Sequence, residues 1–361
     1  MINNLFTRRY VIWISIFLAA FLLNFSYFIF TEFADTVNTY VSGIFRFVFA
    51  KITNIIPFSL AEILIYCSIP LVSLIVFLAM RKSKTIKEKI LFSISSILKI
   101  TTVIYLIFVI TFAPGYNAKD LDDKLGFERN PVSANELYDT LIYVIEKTNE
   151  YAANIDYNEF GSSDVPFTLD ELSDKHCASY KKVFDQYAMT GTFSSRVKPL
   201  IISPFMTYTH ISGVYSFFTG EANLNTNYPD FVNVFSAAHE LAHQRGIARE
   251  DEANFMAYLI CISSDDDYIK YSGYLNMYQY ISNALYTADK ELHKKAIMNL
   301  SDEARNELIA YSNFFDKYRN DTISVVSDTV NDVYLKSQGT KGSVSYGMVV
   351  DLAVSYHKNC K

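Results

Sequence analysis

Residues 236–246 read Ser236-Ala-Ala-His-Glu-Leu-Ala-His-Gln-Arg-Gly246, and the spacing inside this stretch governs the reading of the whole chain. His239 and His243 stand four residues apart. On a helix that interval puts both imidazoles on one face, where two ring nitrogens can reach one metal ion. Glu240 is one step round from His239 and three before His243. It flanks the metal position without occupying it, which is where a general base for a metal-activated water belongs. Phe231, Val234, Phe235, Ala238, Leu241 and Ala242 recur at helical spacing. The helix, expected over 230–245, therefore buries one stripe and presents the histidines from another line, behind Val232 and Ser236. Asp230, after Pro229, is the expected N-cap. Gly246 is the expected stop, because glycine enters the left-handed conformation cheaply.

A third ligand has to come from elsewhere. After Gly246 the chain continues Ala248-Arg-Glu-Asp-Glu-Ala-Asn-Phe-Met-Ala-Tyr-Leu259. Carboxylates open this second apolar helix, expected over 249–263, as its dipole favours. Glu250 and Asn254 share a face. Glu252 points roughly 160–200° away from Glu250, so one of the two, and not both, is expected to join the histidines. Glu250 is preferred, with Asn254 placed to hold a ligand histidine from behind.

His-Glu-x-x-His followed by Glu-x-x-Ala-Asn on the next helix resembles the gluzincin metallopeptidases. The match rests on His239, Glu240 and His243, then Glu250-Asp-Glu-Ala-Asn254. The resemblance implies zinc (Zn2+) as cofactor, a peptide or protein substrate, and Glu250 as third ligand. Asn254 stands where many members carry Asp, and the interval from His243 to Glu250 is shorter than in most. Arg249 occupies the third-histidine position of the metzincin pattern, so that pattern fails. The run from His239 to Asn254 resembles more closely still an uncharacterised bacterial membrane family, domain of unknown function 3810. There, several membrane helices precede a zincin-like domain. This second resemblance spans most of the chain and implies a peptidase without naming a substrate.

The chain has 361 residues, half of them apolar, and its mean hydropathy is positive. Residues 10–30 carry no charge; as a helix they span roughly 30 Å, the thickness of a bilayer core. Two further runs, 60–80 with Glu62 near its start and 91–113 interrupted by Lys99, are expected to span as well. The first run is long and lacks a small-residue cleavage site after it, so it reads as an uncleaved anchor. Arg8 and Arg9 precede it, and Arg81, Lys82, Lys84, Lys87 and Lys89 crowd the loop between the second and third runs. The positive-inside rule then puts the N-terminus in the cytoplasm and residues 114–361 outside. The apolar segment 33–56, with Arg46 and Lys51, is read as an interfacial helix on the outer leaflet or as a packed helix. The domain map is thus a membrane part over 1–113, a linker over 114–130 and an extracytoplasmic zincin-like domain over 131–361. Cys67, Cys177, Cys261 and Cys360 are widely separated and form no metal-binding pair. A net charge of −6 without a basic patch in the soluble part argues against nucleic acid.

In the soluble part, capping-box signatures at Ser133/Glu136 and Thr168/Glu171 open helices expected over 133–155 and 168–188. Lys198–Ser203, Gly213–Phe218 and Glu221–Asn225 are expected strands. Helices follow over 267–287, 301–319, 321–337 and 344–357. The fold class is α+β and predominantly α: three N-terminal transmembrane helices, then a zincin-like domain with a short sheet. The segment Thr219–Asn225, just before the histidine helix, is a candidate edge strand for pairing with an extended substrate, and Glu221 a candidate to touch the site. Hydrolysis also needs a donor for the developing oxyanion, for which His210, Tyr215 and Tyr346 are candidates. The expected function is a membrane-anchored zinc metallopeptidase with Glu240 as general base. The alternative is a non-catalytic membrane sensor or scaffold whose zinc is structural, closed by a fourth protein ligand such as His210.

Overall fold

The computed structural model describes residues 2–82, 85–319, 321–341 and 348–359. It is α+β and predominantly helical. The chain divides into two compact units: Met1–Ala118 with Ser216–Glu221, and Lys119–Tyr215 with Ala222–Lys361.

The first unit contains α1 (Ile2–Ile29), α2 (Thr31–Thr36), α3 (Gly43–Thr53), α4 (Leu60–Lys82) and α5 (Ile86–Thr111). Within α1, α4 and α5, the stretches Tyr10–Ile29, Leu60–Arg81 and Ile86–Thr111 are long and apolar enough to cross a membrane, which marks a membrane-anchored protein. Their outward side chains, among them Phe21, Leu22, Ile69, Phe77 and Ile97, are exposed. Lipid is the solvent such a surface suits, and a helix satisfies its own backbone there. α5 packs against α1 and α4.

The 33–56 segment comprises α2, a π-helical stretch Val37–Ser42, and α3. One face is packed. Arg46 is buried and donates to Asn38 Oδ1 (2.9 Å), Asn38 O (2.7 Å) and Thr111 O (3.0 Å), bringing a cation to the carbonyl end of α5. Ile44, Phe47, Val48 and Ile52 remain exposed on other faces.

The second unit opens with α6 (Leu121–Leu125). Residues 114–130 do not behave as a linker: Leu121, Leu125 and Phe127 are core residues, because burying three large apolar side chains outweighs the freedom of a loose connection. α7 (Ala134–Ala152) and α8 (Leu169–Gln186) follow, each opened by the expected capping box. β1 (Val197–Pro199) is shorter than expected, since the chain turns into α9 (Ser203–Met206) with Pro204 in its first turn, a position proline favours. β2 (Gly213–Ser216) and β3 (Glu221–Leu224) form a hairpin. Then come α10 (Asp230–Gln244), α11 (Glu250–Ile262), α12 (Asp267–Ala288), α13 (Lys290–Ile297), α14 (Asp302–Asp316), α15 (Asp321–Ser337) and α16 (Val349–Asn359).

The sheet has three strands in the order β1-β3-β2, with β1 parallel to β3 in the register Val197↔Ala222. α12 lies against α7, α10 and α11, and β1 packs on α8 and α10. Phe231, Leu241, Phe255, Tyr258 and Tyr271 are fully buried between these layers. The histidine-bearing helix is therefore held in the core, not on a surface.

Candidate metal centre

α10 is positioned from both ends. Its apolar stripe, Phe231, Val234, Phe235, Ala238, Leu241 and Ala242, is buried throughout. At its start Pro229 takes the cap position without a side-chain bond. Asp230, the expected cap, instead accepts the Val165 N–H (2.9 Å). At its end Gly246 adopts φ +95°, as expected, and Ile247 N–H returns to Ala242 O (3.1 Å). Arg245 is clasped between the rings of Tyr180 (4.1 Å) and Phe193 (5.0 Å) and donates to Leu241 O and Phe193 O, a cation where the helix dipole favours one.

On this rigid helix His239, His243 and, from α11, Glu250 bring their ligand atoms within 4.8 Å of one another. Glu250 Oε2 lies 3.2 Å from His239 Nε2 and 3.6 Å from His243 Nε2. The Gly246 turn does a second task. It brings Ile247 O to 2.7 Å from His243 Nδ1. A carbonyl can only accept, so Nδ1 carries the hydrogen, and Nε2 is the atom aimed at Glu250. That outer hydrogen bond is the arrangement that fixes the tautomer of metal-binding histidines. Two imidazole nitrogens and a carboxylate oxygen are a donor set that fits zinc.

The electrostatics follow from burial. Burial alone would lower the His243 pKa, but the Glu250 carboxylate overrides it and raises it to about 9. Burial likewise opposes ionisation of Glu250, yet His243 and His239 hold its carboxyl well below the usual range. Glu240 is buried, and burial pushes its carboxyl up to about 7, with the two histidines pulling against the rise and Glu250 adding to it. Its Oε2 has no hydrogen-bond partner among the described residues. Gly213, at the start of β2, lies directly against it: a Cβ there would stand 2.7 Å from both Cγ and Oε1 of Glu240. The general-base candidate thus touches the sheet at a point where only glycine fits.

Of the two acidic candidates on α11, Glu250 faces the histidines. Glu252 is engaged elsewhere, accepting from Leu121 N–H (2.7 Å) and Arg249 (2.6 Å). Asn254 is buried on the Glu250 face but makes no hydrogen bond to either histidine, and its Nδ2 has no partner among the described residues. Glu221 is not a site residue. It lies in the first unit, where its two carboxylate oxygens accept the Leu60 and Ala61 N–H groups (3.0 and 2.8 Å) and cap α4, because a helix N-terminus attracts an anion. β3 is likewise not an edge strand, since β1 and β2 flank it on both sides; β2, carrying Gly213, is the edge beside Glu240. His210 is exposed, adopts φ +57° and stacks on Phe315 (5.4 Å), outside the His239/His243/Glu250 group. Tyr215 is buried on β2. Tyr346 lies outside the described residues. Tyr280 on α12 feels the charge of Glu250: burial first, then that carboxylate, raises its phenol above the ordinary value. Its setting, Met277-Tyr-Gln-Tyr280, carries no motif that singles it out.

No curated protein and no solved structure matches this chain. A family model described as a protein of unknown function, DUF3810, matches residues 33–354, from α2 through the histidine helix to α16, and the chain belongs to that family.

Proposed function

We propose that this chain is a membrane-anchored zinc metallopeptidase that hydrolyses peptide bonds outside the cytoplasm. One observation carries the reading: two imidazole Nε2 atoms and the Glu250 carboxylate converge, and Glu240 stands beside them buried, its Oε2 without a partner among the described residues. When bound, zinc supplies a Lewis acid and acidifies a water at the site. His239, His243 and Glu250 would hold it. Glu240 Oε2 takes a proton from the attacking water and passes it to the leaving amine nitrogen. A carboxyl near pH 7 is matched to both transfers. The start of β2 aligns an extended substrate backbone next to Glu240. Arg81 at the end of α4 and Lys87 and Lys89 at the start of α5 support this orientation, because the positive-inside rule favours the cytoplasm for a turn flanked by basic residues.

Metal analysis of the purified full-length protein beside His239→Ala tests the site. About one zinc per chain in the wild type, lost in the variant, is expected. Glu240→Gln should keep its zinc and lose turnover of a peptide library. Turnover retained in Glu240→Gln refutes the assignment of the base.

A further inference from the structure

The three consecutive carboxylates that open α11 leave the helix in three directions, about 100° apart, and each has a different partner. Glu250 faces the histidines. Asp251 accepts from Arg129 Nη1 (2.7 Å). Glu252 accepts from Arg249 Nη2 (2.6 Å) and from Leu121 N–H (2.7 Å). Arg249 is forked: its other arm reaches Asp120 (2.6 Å). Arg129 also holds the segment to itself, its N–H donating to Asp122 Oδ2 (3.1 Å).

We propose that Arg249 and Arg129 are positioning residues for Glu250, clamping the first turn of α11 to residues 120–129 so that the third ligand meets the histidines. This rests on reading His239, His243 and Glu250 as a metal-binding set. The geometry is specific. The Arg249–Glu252 bridge joins the residue before Glu250 to the residue two after it, so the backbone of Glu250 lies inside the ring the bridge closes. Arg129 on Asp251 fixes the same turn from another side. Asp120 and the Leu121 N–H anchor the ring to α6. Charge gives the clamp a second task. Asp251 and Glu252 are buried beside Glu250, and three adjacent carboxylates repel one another. The two guanidiniums offset two of these charges and leave Glu250 to the histidines. A bidentate fork suits this better than an ammonium, which is a point charge.

The clamp is tested on full-length protein in detergent, by zinc affinity in competition with a chromophoric chelator and by the visible spectrum of the cobalt(II)-substituted protein, which reports coordination geometry. Arg249→Ala and Arg129→Ala should each weaken zinc binding, on the order of 10- to 100-fold, as outer-partner changes at metal sites do, and should alter the cobalt spectrum. Arg249→Lys should recover part of the loss. Should an alanine variant fail to fold, Arg249→Lys and Glu252→Gln carry the test, because Glu252→Gln keeps the acceptor for Leu121 N–H and loses only the charge for Arg249. Wild-type affinity and spectrum in the folded variants, with zinc bound by the wild type and lost in His239→Ala, overturn the clamp alone. A wild type that takes up no zinc overturns the metal reading and the clamp with it.

Discussion

His243 and Glu250 each hold the other's charge, and this has a measurable result at the scale of single residues. With the His243 pKa raised to about 9, the ring of the metal-free protein carries a proton at neutral pH. A metal needs the Nε2 lone pair, so its uptake must displace that proton. Zinc binding at pH 7 should therefore release a proton, and apparent affinity should climb with pH up to about 9 and flatten above it. Calorimetric titration in two buffers of different protonation enthalpy counts the protons; uptake without release at pH 7 would contradict the ion pair. Much of this was legible beforehand. The interval His239–His243 dictates a shared face, and the opposed directions of Glu250 and Glu252 on one helix left a choice of two that the histidines resolve. Glu221 was misread for a physical reason. It is near the histidines in sequence, yet its partners, Leu60 and Ala61, are about 160 residues away along the chain, and nothing in a strand's residue pattern names such a partner.

At the scale of elements, β2 and α10 meet at Gly213. The glycine is needed for space and not for a left-handed backbone, because its missing Cβ would fall on Glu240 and 2.9 Å from Asn223 O. Gly213→Ala should therefore displace Glu240 while leaving His239, His243 and Glu250 in place. The expected outcome is near wild-type zinc content with turnover reduced at least 10-fold, an order of magnitude in line with misplacement of a reacting group. Loss of zinc in that variant would show a wider disturbance than this contact predicts. Helix starts were well written in the sequence. Ser133/Glu136 and Thr168/Glu171 form the reciprocal bonds their spacing promises, because a capping box is closed by residues three apart. Strand order was not, since β3 differs from an edge strand only in having neighbours on both sides.

At the scale of the whole molecule, the three apolar helices were plain from composition, because a lipid-facing helix needs little but length and the absence of charge. Residues 120–129 were not. Pro114, Gly115 and Gly126 read as a linker, and the partners of this stretch, Arg249, Asp251 and Glu252, lie more than a hundred residues on. The proposed orientation rests on the basic residues flanking the spans. A reporter enzyme that folds only outside the cytoplasm, fused after Lys361, should be active, and a fluorescent protein that fails to mature after export should stay dark at the same position. The reverse pair of results would invert the proposed topology and put the His239/His243/Glu250 group in the cytoplasm.

The hairpin of β2 and β3 is divided in its allegiance. Its strand β2 starts against Glu240, while its tip, Ser216–Glu221, belongs with the apolar helices, where Phe217 packs on Phe108 (5.3 Å) and Glu221 caps α4. No single cut in the chain therefore follows the boundary between the two units. A cut after Ala118 would leave Phe217 and Glu221 on one fragment and their partners Phe108, Leu60 and Ala61 on the other. Shedding of the second unit by such a cut would therefore forfeit the ring contact of Phe217 and the cap on α4.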